Sequence, residues 1–233
     1  MTESIPTQLV LGVQLRDEAN FENFHISEDN KKVVAALRSS PVAGSCHYLW
    51  GALSSGRTHL IQALCHDQAE NGLSTLYLPL QEFSSLSPEM LQGANSLSMV
   101  CLDDVDAICG NERWERALFN LYNELLDADT QLLITANCAP QQLQLELQDL
   151  KSRLQSTVVY QLDTPDDEDK REILCLRAAN RGMELSIQLA EFLVQRAERS
   201  LDGLIGVLDQ LDQATLERGR RLTIPLIKEV MGW

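Results

Sequence analysis

Two hydrophobic rhythms run along the chain, and they change over at Asp163-Thr164-Pro165. Before that point, short continuous apolar runs alternate with stretches of helical period. The runs CHYLW (46–50), STLYLPL (74–80), LSMVCL (97–102), QLLITAN (131–137) and TVVYQL (157–162) predict strands. Between them, helical spacing predicts helices over 58–72, ending at Gly72, and over 114–128. An earlier helix is predicted from Asn30 to Leu37, with Val33, Val34, Ala36 and Leu37 on one side and Ser39-Ser40-Pro41 as its stop. Continuous apolar strands spaced by helices predict a parallel sheet covered on both faces, so the core is α/β.

Beyond Pro165 no strand candidate remains. DDEDKREILCLRAANRG, SIQLAEFLVQRAER, LDGLIGVLDQLDQATLERG and TIPLIKEVMGW all read as helices. Asp166 or Thr164 suits the cap of the first and Ser186 that of the second, while Gly182 and Gly219 fall just past helix ends. The expected organisation is an N-terminal arm over 1–20, an α/β nucleotide-binding core over 21–164 and an all-helical lid over 165–233.

Composition narrows the function classes. The 233 residues carry 34 acidic and 19 basic side chains, a formal charge of −15, which argues against tight direct binding to nucleic acid or to an anionic membrane. No stretch approaches the roughly 18 uncharged apolar residues of a membrane span. The N-terminus lacks the basic region of a signal peptide. Six cysteines form no CxxC pair, and four sit in or beside apolar runs; a reducing cytoplasm is expected, without a zinc or disulfide scaffold.

The chemistry concentrates at strand ends. Gly51-Ala-Leu-Ser54-Ser55-Gly56-Arg57-Thr58 joins a predicted strand to a predicted helix and fits the phosphate-binding P-loop, with Arg57 in place of lysine. Its glycines permit a turn that aims backbone N–H groups at a phosphate, the following helix adds its positive end, and Thr58 suits a Mg²⁺ ligand. A Gly/Ser-rich turn that binds nothing would look similar, but Val100-Cys101-Leu102-Asp103-Asp104 ends a buried strand with two carboxylates. Asp103 is positioned to hold Mg²⁺ through water and Asp104 to orient an attacking water. Asn137 ends the next strand, within reach of a γ-phosphate or water on one reading and an ordinary turn residue on the other. Arg153, in DLKSRL, is either a solvated surface arginine or one that reaches a neighbouring subunit's nucleotide.

These features follow one another in the order of an AAA+ ATPase. GALSSGRTHL, LSMVCLDDVDAICG, RWERALFNLYNELLDA, LLITANCAP, DLKSRL and LTIPLIKEVMGW resemble the AAA+ module of the bacterial replication initiator DnaA, over about residues 8–233. Within that group the chain is most similar to the short regulatory homologues of the initiator. It stops after the lid, where the initiator continues into a helix-turn-helix DNA-binding domain, and it lacks the initiator's helicase-interaction domain. Gln8-Leu9-Val10-Leu11-Gly12-Val13 in the arm is similar to the motif by which proteins dock on the bacterial sliding clamp. Gln8 would be the polar anchor and Leu9, Leu11 and Val13 the apolar ones; an ordinary N-terminal strand is the alternative.

The resemblance implies phosphate contact by Gly51, Gly56, Arg57, Thr58 and His59, Mg²⁺ at Thr58 and Asp103, a γ-phosphate sensor at Asn137, and a trans-acting arginine at Arg153. Phe24 matches a segment that lies against the base, and equally suits a staple packing the arm on the core. Three departures stand out. Arg57 replaces lysine, Asp104 is a methylene shorter than the usual glutamate, and Asp202 occupies the place of a lid arginine, with Arg196 and Arg199 nearby. Together they imply a nucleotide held as the diphosphate and little turnover; the resemblance implies that it is an adenine nucleotide, ADP rather than ATP. The implied role is a negative regulator of replication initiation: tethered to the DNA-loaded clamp, and so to DNA indirectly, it presents Arg153 to DnaA-bound ATP. The alternatives are a self-contained AAA+ ATPase acting as a homo-oligomer that remodels a replication partner, and an adaptor without chemistry.

Overall fold

The computed structural model describes residues 15, 19–39, 44–198, 200–219 and 221–233. Each apolar run within them forms a strand: β1 (Cys46–Trp50), β2 (Thr75–Pro79), β3 (Met99–Asp103), β4 (Gln131–Ala136) and β5 (Val158–Gln161). They pair into one sheet in the order β2-β3-β4-β1-β5, every neighbouring pair parallel. The order places β4 between the strand that ends in Asp103 and the strand that leads into Gly51.

Strand periodicity sorts side chains to two faces. On one face Tyr48, Val100, Leu102, Leu132 and Ile134 pack with α3 (Glu112–Asp127) and α4 (Gln148–Gln155). On the other, Leu49, Cys101 and Leu133 pack with α1 (Lys31–Ser39) and α2 (Arg57–Glu70). α2 is buried continuously from Leu60 to Cys65, because it lies across the sheet with further residues over its outer side. Asn111 caps α3, its side chain accepting from the Trp114 N–H.

The 8-residue α4 is an element the hydrophobic pattern did not predict; only Leu150 and Leu154 bury its face. The link from β2 to β3 likewise holds 3-10 turns at Leu80–Glu82, Pro88–Leu91 and Ala94–Ser96 rather than a full helix. Another 3-10 turn, Val105–Ile108, follows β3.

The chain leaves β5 and enters a second cluster built only from helices: α5 (Asp167–Asn180), α6 (Ile187–Arg196), α7 (Leu201–Arg218) and α8 (Ile224–Met231). Leu174, Leu193, Leu204, Leu208, Leu211 and Ile227 form its apolar centre. Asp166, not Thr164, caps α5, accepting from the N–H groups of Glu168 and Asp169 at 2.8 Å each. Ser186 caps α6, and Gly219 ends α7 in the left-handed conformation that favours glycine. Buried Asn30 fixes the exit from the sheet: its amide donates to the Asp163 carbonyl at 3.1 Å and its carbonyl accepts from the Asp163 N–H at 2.9 Å. The architecture is an α/β core on a parallel sheet with a C-terminal helical lid. Among the described residues, no helix is long and apolar enough to cross a membrane.

Candidate functional site

Between core and lid lies a cleft of about 690 Å³ floored by residues 52–59. Its loop follows from local sterics. A Cβ at Gly51 would stand 2.5 Å from the Leu162 carbonyl oxygen, so only glycine lets the strand exit there. Gly56 sits at φ +93° at the start of α2, again a glycine conformation. Ser55 lines the cleft with its hydroxyl buried and, among the described residues, without a hydrogen-bond partner. A glycine-permitted loop, a helix N-terminus and an orphaned hydroxyl fit a phosphate chain.

The acidic strand end falls beside it because of the two-residue period. Asp103 shares the parity of Met99 and Cys101, so its carboxylate faces α2, where the Thr58 hydroxyl at that helix's start helps to hold it ionised. Tyr77 donates to Asp103 at 2.9 Å, Gln62 supports the Tyr77 hydroxyl at 3.0 Å, and the Thr135 hydroxyl also donates to Asp103. Burial, reinforced by the neighbouring Asp104 charge, nevertheless pushes the Asp103 carboxyl above its usual range, against the pull of those three hydroxyls. A carboxylate and a hydroxyl together, with water and phosphate oxygens to complete the shell, suit Mg²⁺.

Asp104 adopts φ +55°, which turns its side chain back under the loop. There Arg57 donates to it at 2.8 Å and Gln81 at 2.7 Å. Arg57 also donates to the Gly51 carbonyl and, at 3.0 Å, to the Ala52 carbonyl. The guanidinium, 6% exposed, thus ties the loop's first turn to Asp104 instead of standing free in the cleft.

The arm and the lid close the other sides. The Phe24 ring lies 3.3 Å from where a Gly56 Cβ would be and 5.1 Å, centroid to centroid, from His59, so it is at once staple and cleft wall. His59 bonds the Asn20 carbonyl at 2.9 Å. Asp169, Ile173 and Arg177, spaced by four along α5, present one lid face to the cleft. Arg177 bonds His59 at 2.7 Å and His25 bonds Asp169 at 2.8 Å. From α7, Asp202 reaches the loop, accepting from the Ser54 hydroxyl at 2.5 Å.

Gly51, Ser54, Ser55, Gly56, Arg57, Thr58, His59, Phe24, Asp103 and Asp104 are therefore gathered in or against one cleft. Asn137 and Arg153 are not among its lining residues. Asn137 is exposed past the end of β4, its N–H donating to Asp106 at 2.9 Å. Arg153 is exposed on α4, its guanidinium 5.9 Å from the centre of the Tyr122 ring. The arm residues Gln8, Leu9, Leu11 and Val13 lie outside the described residues, as does Arg199. Arg196 covers Phe192 at 5.5 Å, and the arginine with which the lid lines the cleft is Arg177, which attention to Arg196 and Arg199 overlooked. Its signal in the sequence was the four-residue spacing from Asp169 through Ile173.

Residues 15–161 match the family model of the bacterial DnaA ATPase domain, and residues 167–231 match that of the Hda lid domain. Among solved structures, domain III of the Thermotoga maritima replication initiation protein DnaA superposes with a TM-score of 0.80 at 22% identity, covering 94% of this chain and 98% of that one. AMPPCP-bound DnaA from Aquifex aeolicus gives 0.69 at 23% identity, over 88% of this chain and 69% of that one. The Thermotoga maritima Holliday junction branch migration motor RuvB gives 0.67 at 17%, over 89% and 69%.

Proposed function

The chain belongs to the bacterial DnaA ATPase family, with a lid of the Hda type, and is a DnaA-related replication regulator; from that premise we propose that it switches off DnaA by stimulating hydrolysis of DnaA-bound ATP. The observation that carries the reading is Arg153, a cation exposed on α4 that lies outside the chain's own cleft. An arginine so placed is free to enter a second protein's nucleotide site. There it neutralises charge spread over the phosphoryl oxygens as water adds to the γ-phosphorus and the bond to ADP breaks, an effect worth about 10³–10⁵ in rate.

The chain's own cleft holds an adenine nucleotide in this reading, consistent with the AMPPCP carried by an A. aeolicus structure of the same fold. Thr58 and Asp103 would hold Mg²⁺, which supplies charge neutralisation to phosphate oxygens. Ser55, Gly56 and the start of α2 bind the phosphates, and Phe24 and His59 wall the cleft beside that loop. Asp202 favours ADP over ATP: a third phosphate extending along the loop meets a carboxylate already on Ser54. Asp104 is engaged by Arg57 and Gln81, which argues for slow turnover and against the self-contained ATPase.

The arm motif centred on Gln8, Leu9, Leu11 and Val13 docks on the sliding clamp. Tethering then supplies proximity to DNA that a charge of −15 does not. Cytoplasmic location follows from this role. The test is DnaA's ATP turnover with this chain, ADP and DNA carrying loaded clamp, set beside the chain's own turnover. Strong stimulation with little intrinsic activity is expected; intrinsic turnover without stimulation would transfer the case to the remodelling ATPase.

A further inference from the structure

Glu115 is a buried carboxylate that the site described above does not use. It lies on α3, 1% exposed, between exposed Glu112, Arg113 and Arg116. A charge that far from water must be satisfied by other groups, and here the groups are backbone N–H donors. One carboxylate oxygen accepts from Gly110 at 2.7 Å and from Glu146 at 3.2 Å. The other accepts from Glu146 at 3.0 Å and Leu147 at 2.7 Å.

Leu147 is the N-cap residue of α4, and it has no side-chain oxygen to offer that helix. Glu115 therefore supplies from a neighbouring helix both the anion that a helix start favours and the bonds that fix the chain entering it. α4 needs such an anchor: it has 8 residues, and only Leu150 and Leu154 bury it. Seven residues further along α3, two turns on and on the same side, Tyr122 carries the Arg153 guanidinium on its ring at 5.9 Å. One helix thus holds the entry to α4 at one level and its arginine at another.

We infer that Glu115 is the positioning residue for Arg153, setting the placement of α4 from which the arginine reaches DnaA-bound ATP. The inference rests on the trans-arginine reading above. Glu115 touches no nucleotide; it acts through α4. Loosening α4 leaves Arg153 present but misplaced, and a displacement of about 1 Å at a catalytic group can cost on the order of 10²-fold.

The experiment measures DnaA's stimulated ATP turnover against the concentration of this chain, for wild type, Glu115→Ala, Glu115→Gln and Arg153→Ala. Glutamine keeps the shape and one acceptor oxygen, so it disturbs the fold less than alanine while turning an NH2 group towards backbone N–H donors. Glu115→Ala is expected to lower the maximal stimulated rate by about 10- to 100-fold, with Glu115→Gln intermediate. The half-saturating concentration and the chain's ADP affinity should stay within about twofold of wild type, as expected when the loss falls on the transition state. Wild-type rates for both Glu115 variants beside an impaired Arg153→Ala would overturn this inference alone. An unimpaired Arg153→Ala would overturn the arginine reading and this inference with it.

Discussion

Replacing Arg57 by alanine should destabilise the fold much more than an ordinary loop substitution. The guanidinium and the Asp104 carboxylate are 6% and 9% exposed and 2.8 Å apart, so neither has water as an alternative partner. Removing one member of such a pair leaves a buried, unbalanced charge and costs about 3–5 kcal/mol. Gln81 continues to donate to Asp104, which favours the lower end of that range. The freed Gly51 and Ala52 carbonyls act in the opposite direction. For a chain of this length about 2–4 °C of melting temperature accompany each kcal/mol, so a fall of at least about 6 °C is expected. The diagnostic variant combines Arg57→Ala with Asp104→Ala, which removes the stranded charge. Measured by thermal unfolding without nucleotide, the double variant should be more stable than the sum of the single effects predicts, by more than about 1 kcal/mol. Additivity within about 0.5 kcal/mol would refute the reasoning and mean that the two groups do not depend on one another.

Two further outcomes follow from charges at the cleft. Because burial and the Asp104 charge hold the folded Asp103 carboxyl above the ordinary carboxylate range, the native protein binds that proton more tightly than the unfolded chain. This group's contribution to stability is therefore full in acid and falls as pH rises through its raised folded value, so it penalises the ligand-free fold at neutral pH. Asp103→Asn should raise the ligand-free melting temperature at pH 7 and flatten this component of its pH dependence, while abolishing the Mg²⁺-dependent part of stabilisation by ADP; a lowered melting temperature would contradict it. Asp202→Arg should shift nucleotide preference from ADP towards ATP in competition binding, since a cation replaces the carboxylate on Ser54; unchanged preference would show that Asp202 does not select phosphate number.

The strands were legible in the sequence because each is a continuous apolar run, and the lid because its helical period is never interrupted by one. The P-loop and Asp103-Asp104 were legible for a local reason too: a glycine turn and an acidic strand end are visible within a few residues. What the sequence concealed is non-local. Arg57 and Asp104 stand 47 positions apart, and nothing in either segment announces that one neutralises the other. The order of the sheet, which sets β4 beside β3, depends on crossovers and not on strand composition. α4 has few apolar positions and no cap of its own, so its helicity relies on Glu115 from another helix. In the sequence, Glu115 itself looks like one more charge in a solvated face.

The account stands or falls on one comparison: DnaA's ATP turnover on clamp-loaded DNA with ADP, in the presence of the wild-type chain or of Arg153→Ala. Arg153 lies outside the chain's own cleft, so the variant should keep ADP binding and clamp retention. Stimulation of DnaA should fall by orders of magnitude, to near DnaA's unassisted rate. Stimulation retained at the wild-type level would contradict the central claim, whatever else the variant preserved.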